Sequence, residues 1–196
     1  MRKVRQCVGG LGNIMFKQAY LIGQLLDGKI PDIYLQGAKP WGSHAEQIRE
    51  YFSENIGKTD RVALHIRRGD YLKADNFHVN LWETDYYKNA VRMFPNDTFL
   101  VFCRDRQDDS QDESDRLWCE KNLDVLGIKW ELAPWNEDET EDMNLMASCK
   151  GIIMANSSFS WWAAFLNPHK PTIVTPKNWF IDGIQRTELL DEWIQI

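Results

Sequence analysis

Short β-type apolar runs alternate with helical segments along nearly the whole chain, and no other feature narrows the fold as far. Residues 2–8 read as a strand, and the Gly-rich turn Gly9-Gly10-Leu11-Gly12-Asn13 follows. Met15, Phe16, Ala19, Tyr20, Ile22, Gly23 and Leu26 then recur at helical spacing. A second strand is expected at 32–36, and Ser43 with Glu46 forms a capping-box signature for a helix to about residue 54. The runs 61–66, 98–102, 128–132, 151–155 and 172–174 supply the remaining strands. Helices are expected at 84–94, at 114–123, after the acidic loop 137–142 to about residue 150, at 158–166, and at 186–193 as a closing element. Parallel strands need a crossover and a helix is the usual one, so this alternation predicts an α/β fold with a parallel, doubly wound sheet.

Length and charge narrow the function. A chain of 196 residues with 43% hydrophobic and 27% charged residues suits one or two small domains. Gly57 and its polar neighbours separate two βα series, which makes 1–58 and 59–196 the expected units. A net charge of −6 argues against a nucleic-acid partner, which needs a basic face. The basic start, Met1 to Cys7, has no apolar run behind it, and no stretch approaches the ~18 apolar residues of a membrane span. A cytoplasmic protein without a transmembrane segment is the expectation. Cys7, Cys103, Cys119 and Cys149 are scattered without a paired spacing and read as reduced, mostly buried thiols. Nine Trp residues serve either packing or stacking surfaces for sugars and bases.

In open α/β sheets a ligand sits outside the carboxyl ends of the strands, and three motifs occupy such positions. The Gly-rich turn lets backbone amides approach an anion at a helix N-terminus, or is simply a turn. His65-Ile66-Arg67-Arg68-Gly69-Asp70-Tyr71 is more specific. Two adjacent Arg residues at a strand end present planar, permanently charged forks suited to a diphosphate, and Asp70 could orient one of them. Asn156-Ser157-Ser158-Phe159, after a buried strand, offers hydroxyl, amide and backbone donors for phosphate; the plain alternative is helix capping by Ser. The acidic runs 108–115 and 137–142 are spaced irregularly and read as solvated loop and helix N-terminal charge rather than a metal site.

The string from His65 to Tyr71 resembles the H-x-R-R-G-D-Y signature of the α-1,2- and α-1,6-fucosyltransferases. The stretch from Asp142 to Trp162 resembles the C-terminal motif of the α-1,2 enzymes (glycosyltransferase family 11). Gly9 to Phe16 resembles their N-terminal motif, and Pro176 to Phe180 their closing segment. What the resemblance implies is a GT-B-like pair of Rossmann-type domains, here with an abbreviated N-terminal, acceptor-side region, because only about fifty residues separate the Gly-rich turn from the Arg-Arg motif. It implies an inverting transfer of L-fucose from GDP-fucose to the 2-hydroxyl of a terminal galactose-type acceptor, with no cofactor. Arg67 would contact the diphosphate. Gly10, Gly12, Asn13, Arg68, Asn156, Ser157, Ser158 and Phe159 would line the donor site. No metal is expected, since the sequence contains no Asp-x-Asp to hold one. Asp70 and His65 are both candidate bases; Asp105, Asp108 and Asp109 are candidate guanine readers; Trp41 or Trp82 could stack on the acceptor. A homo-oligomer could complete the cleft. The alternatives are a non-catalytic GDP-sugar-binding module and an enzyme for another GDP-linked sugar.

Overall fold

The computed structural model describes residues 10–26, 42–53, 56–72, 77–103, 109–134, 136 and 138–196. The strands expected at 2–8 and 32–36 lie outside these residues. Two helices come first, α1 (Leu11–Leu26) and α2 (Ala45–Phe52). Then follow β1 (Thr59–His65), α3 (Tyr86–Val91), β2 (Thr98–Phe102), α4 (Asp109–Asn122) and β3 (Lys129–Leu132). The chain continues through α5 (Glu139–Ala147), β4 (Cys149–Ile153), α6 (Ser158–Leu166), β5 (Thr172–Thr175) and β6 (Ile194–Gln195).

The strands form one six-stranded sheet in the order β3-β2-β1-β4-β5-β6, with every pair parallel. This is the doubly wound α/β architecture that the alternation predicted. Both faces of β1, β2, β4 and β5 are covered, so these strands are mostly apolar on both sides, whereas β3 and β6 at the sheet edges are more exposed. Val62, Leu64, Phe99, Val101, Ile153 and Val174 pack with α3 and α4, whereas Ala63, Leu100, Phe102, Ile152 and Ile173 pack with α1, α2, α5 and α6.

Helix α6 anchors the second of these layers. Trp161 and Trp162 are fully buried on it. Phe16 of α1 lies 4.7 Å from Trp161 and 5.1 Å from Trp162, and Phe52 of α2 lies 5.3 Å from Trp162. Burying a large apolar side chain contributes about 1.5–3 kcal/mol, so this aromatic knot is what holds α1 and α2 on the sheet. Trp179 and Trp193 are also buried; for these four Trp residues packing is the role the structure assigns. Cys103, Cys119 and Cys149 are free and buried, as expected, and Cys7 lies outside the described residues.

Several boundaries differ from expectation, most for a local reason. No capping box forms at Ser43, which sits in a 3-10 turn (Gly42–His44); α2 starts after it, and Glu46 pairs with Arg49 at 2.9 Å instead. Helix α3 is shorter than 84–94, because the Thr84 hydroxyl donates to Leu81 O and accepts from Tyr86 N, ending one turn and starting the next. Helix α4 spans Asp109–Asn122 and so begins five residues earlier than the expected 114. The closing helix at 186–193 is absent. There Trp161 Nε1 donates to Glu188 O at 2.6 Å, Trp193 is drawn against Trp161 at 5.5 Å, and the chain then pairs with β5 as β6.

Candidate active site

Strand order makes β1 the point of reversal: the chain builds β2 and β3 on one side of it and β4, β5 and β6 on the other. The loops leaving β1 and β4 therefore diverge to opposite faces and leave a crevice at their carboxyl ends. Those two loops are the Arg-Arg-Gly-Asp and Asn-Ser-Ser turns.

On β1, period-two alternation puts His65 on the face of Ala63, toward α6, where its ring lies 5.9 Å from Phe159. The imidazole is 5% exposed and its buried Nδ1 has no hydrogen-bond partner. Burial, and then the Arg67 charge, pull its pKa down to about 3, so the ring is neutral at physiological pH. The Arg67 guanidinium stands 5.4 Å over the Tyr71 ring. Tyr71 is itself fixed: its hydroxyl donates to Asn156 O at 2.9 Å and its ring stacks 3.9 Å from His78. Arg68 turns the other way, toward α4, donating from Nε to Asp115 Oδ1 at 3.2 Å and lying 3.9 Å over the Trp118 ring. Gly69 has a φ of +31°, a left-handed value that favours glycine, and its N–H donates to Asp115 Oδ2 at 3.1 Å. The Asp70 backbone lies in the 3-10 turn Gly69–Leu72, and its side chain is outside the described residues.

Beyond β4, the Asn156 amide donates to Val79 O and Trp179 O, both at 3.0 Å, tying two outer segments beneath the turn. Ser157 is the N-cap of α6 and accepts from Phe159 N at 3.3 Å. Capping is thus realised for Ser157, whereas the Ser158 hydroxyl makes no side-chain hydrogen bond to another described residue. The Gly-rich turn meets this point directly. A Cβ on Gly12 would lie 2.6 Å from Ser158 C and Oγ and 2.8 Å from Ser158 O. At Gly10 it would meet nothing within 4 Å, and Gly10 O caps α1 by accepting from Asn13 N and Ile14 N. The structure thus brings the three expected motifs to one crevice, with Arg68 and the Asn156 amide committed to the frame.

Helix α3 reaches the carboxyl ends of β1, β4 and β5 through two tyrosines. Tyr87 donates its hydroxyl to His65 O at 2.8 Å, and Tyr86 donates to Met154 O at 2.7 Å and Val174 O at 3.0 Å. Burial raises both phenol pKa values, so both stay protonated donors.

Asp115 and these tyrosines were not among the expected site residues. The reading of 108–115 as solvated charge fails at Asp115, which is 1% exposed. Its spacing held the signal, since Asp115, Cys119 and Leu123 fall on one buried helical stripe. Of the candidate guanine readers, Asp105 and Asp108 lie outside the described residues, as does the side chain of Asp109. Trp41 is also outside them, and Trp82 stands edge-on to Trp118 at 4.7 Å. Among the described residues no group of three His, Cys, Asp or Glu side chains could hold a metal. Among them, too, no helix is long and apolar enough to cross a membrane.

Residues 42–196 match glycosyl transferase family 11. The chain belongs to that family. The match to family 11 covers the turns after β1 and β4 and leaves out residues 10–13, where Gly12 approaches Ser158 closely. The chain is 32% identical to the O-antigen biosynthesis glycosyltransferase WbnK of Escherichia coli, over 76% of this chain and 47% of that protein. It is 31% identical to the alpha-1,2-colitosyltransferase of Escherichia coli, over 83% of this chain and 61% of that one. To the human galactoside alpha-(1,2)-fucosyltransferase 1 it is 26% identical, over 54% of this chain and 28% of the relative. The aligned part thus spans between about a quarter and three-fifths of these family 11 relatives. No solved structure matches the chain.

Proposed function

We propose that this chain binds GDP-fucose in the β1/β4 crevice and transfers L-fucose, with inversion, to the 2-hydroxyl of a terminal galactose-type acceptor. The observation that carries the reading is the meeting of the Arg67 turn, the Ser157–Phe159 turn and Gly12 at the switch point of a doubly wound sheet. As the bond from fucose C1 to the β-phosphate breaks, negative charge grows on GDP and positive charge on the sugar ring, by analogy with glycoside hydrolysis. In this reading Arg67 neutralises the leaving diphosphate, and the N-terminus of α6 with the Ser158 hydroxyl adds further donors. A histidine whose pKa is about 3 is too weak a base to take the acceptor proton at neutral pH. Asp70 is therefore the better candidate base, and neutral His65 lines the crevice beside Phe159. In this reading the domains divide at residue 58, the donor lies on the 59–196 side, and the reaction needs neither cofactor nor metal.

A second donor stands beside fucose, because a relative named as a colitosyltransferase aligns with 83% of the chain. The decisive experiment incubates the protein with a lactose-type acceptor and either GDP-fucose or GDP-colitose, and identifies the product by mass spectrometry and linkage analysis. An α-1,2-fucosylated product is expected. GDP binding without transfer from either donor would replace the proposal with a non-catalytic binding module.

A further inference from the structure

The two arginines of the β1 turn have different surroundings, and Asp115 is what separates them. Its carboxylate is 1% exposed and accepts from Arg68 Nε at 3.2 Å and from Gly69 N at 3.1 Å. One oxygen thus holds a side chain and the other holds the main chain of the next residue. The Arg68 guanidinium is sandwiched further by Trp118, 3.9 Å away on the same helix, and Trp118 is backed by Trp82 at 4.7 Å. Arg68 O closes the turn by accepting from Tyr71 N at 2.7 Å. A buried carboxylate with a cation on one oxygen and an amide on the other is strongly determined, because loss of a partner weakens the compensation of a desolvated charge. Helix α4 therefore grips the two residues that follow Arg67, including the left-handed Gly69.

From this geometry we infer that Asp115 is a positioning residue for diphosphate binding, acting through Arg68 and Gly69 to aim Arg67 over Tyr71. Arg68 is the arm through which α4 holds the turn, and Arg67 is the arm that reaches the ligand. The inference rests on the proposed role of Arg67. Small displacements of a binding group carry large penalties, so a loosened turn should show in ligand affinity before it shows in the fold.

The test uses GDP and guanosine as probes, with calorimetry for the first and ligand-observed NMR for the second. Asp115→Asn keeps an acceptor for Gly69 N and sets an amide against Arg68. GDP should bind about tenfold more weakly or worse, with guanosine unchanged, because only the diphosphate meets Arg67. In an Arg67→Ala background the same substitution should have no further effect on GDP. Equal losses for GDP and guanosine, or additive losses in the double variant, would mean general damage and overturn the inference. Replacing both partners by apolar residues, Asp115→Leu with Arg68→Met, removes the buried charges together and should recover much of the melting temperature. Its GDP affinity should stay low; recovery alongside stability would also overturn the inference. Wild-type protein that binds no GDP would remove the proposed role of Arg67 itself, whereas normal GDP binding by folded Asp115→Asn would remove only this one.

Discussion

Gly12→Ala tests the meeting of the first helix with the candidate site. The added Cβ would sit 2.6 Å from Ser158 C and Oγ and 2.8 Å from Ser158 O, where ordinary contact begins at 3.4 Å. Relief needs a separation of about 0.8 Å (3.4 less 2.6). A serine rotamer can move its Oγ, but the carbonyl carbon and oxygen belong to α6, and α6 is fixed by Trp161 and Trp162 in the core. Helix α1 must therefore yield. It carries Met15, Phe16 and Ala19, all fully buried, and a gap of 0.5–1 Å forfeits roughly a quarter to a half of a van der Waals contact. Overpacking of this kind costs about 1–3 kcal/mol, which in a domain of this size lowers the melting temperature by roughly 2–12 °C. Thermal and urea unfolding would read the stability and calorimetry the GDP affinity, and both should fall because the two turns part at the ligand. A Gly12→Ala protein with unchanged melting temperature and unchanged GDP affinity would refute the close approach and the place of this turn in the site.

Four further outcomes are expected. Arg67→Ala should cost roughly 2.7–4 kcal/mol in transition-state stabilisation, and Arg67→Lys should recover little because a point charge does not replace a fork; unchanged GDP binding in a folded Arg67→Ala protein would exclude the role. Ser157→Ala should lower stability by about 0.5–2 kcal/mol with GDP affinity kept, while Ser158→Ala should do the reverse; exchanged phenotypes would reassign the two hydroxyls. Below pH 6.5 the unfolded chain protonates His65 while the folded chain, with a pKa of about 3, does not. That contribution is complete above pH 6.5 and declines by up to about 1.4 kcal/mol per pH unit on acidification; a His65→Gln variant whose unfolding free energy, from urea titrations, falls as much between pH 7 and pH 5 as that of the unaltered protein would contradict it. Transfer activity should survive excess chelator, and loss rescued by manganese or magnesium would return a catalytic ion to the mechanism.

The sheet was legible because its strands are both short and apolar, and a run such as 98–102 has no competing helical reading. The two turns of the proposed site stood out because both carry residues, Arg67 and Ser157 among them, whose chemistry suits an anion at a strand end. Residues that act through tertiary partners were harder to see. Asp115 looks like one more charge in an acidic run until the helical stripe it shares with Cys119 and Leu123 is drawn. The segment 186–193 has a helix-like pattern, yet the Trp161 indole takes the Glu188 carbonyl out of any helical ladder. Asn156 reads as a ligand donor in sequence; only the spatial approach of Val79 and Trp179 shows where its amide goes.

The paired tyrosines of α3 have an electrostatic consequence for whatever reaches the crevice. A parallel sheet ends in a rim of carbonyl oxygens, and that rim repels an anion. Tyr86 and Tyr87 put two hydroxyl protons onto three carbonyl oxygens near the ends of β1, β4 and β5, those of His65, Met154 and Val174, the last of which also accepts from Met154 N. Since burial keeps both phenols protonated, the positive ends of these dipoles stay at the rim across the physiological pH range. Under the proposed function, the sheet edge beneath the diphosphate would thereby be quieted, and attraction from Arg67 and the α6 N-terminus would act against a weaker opposing field.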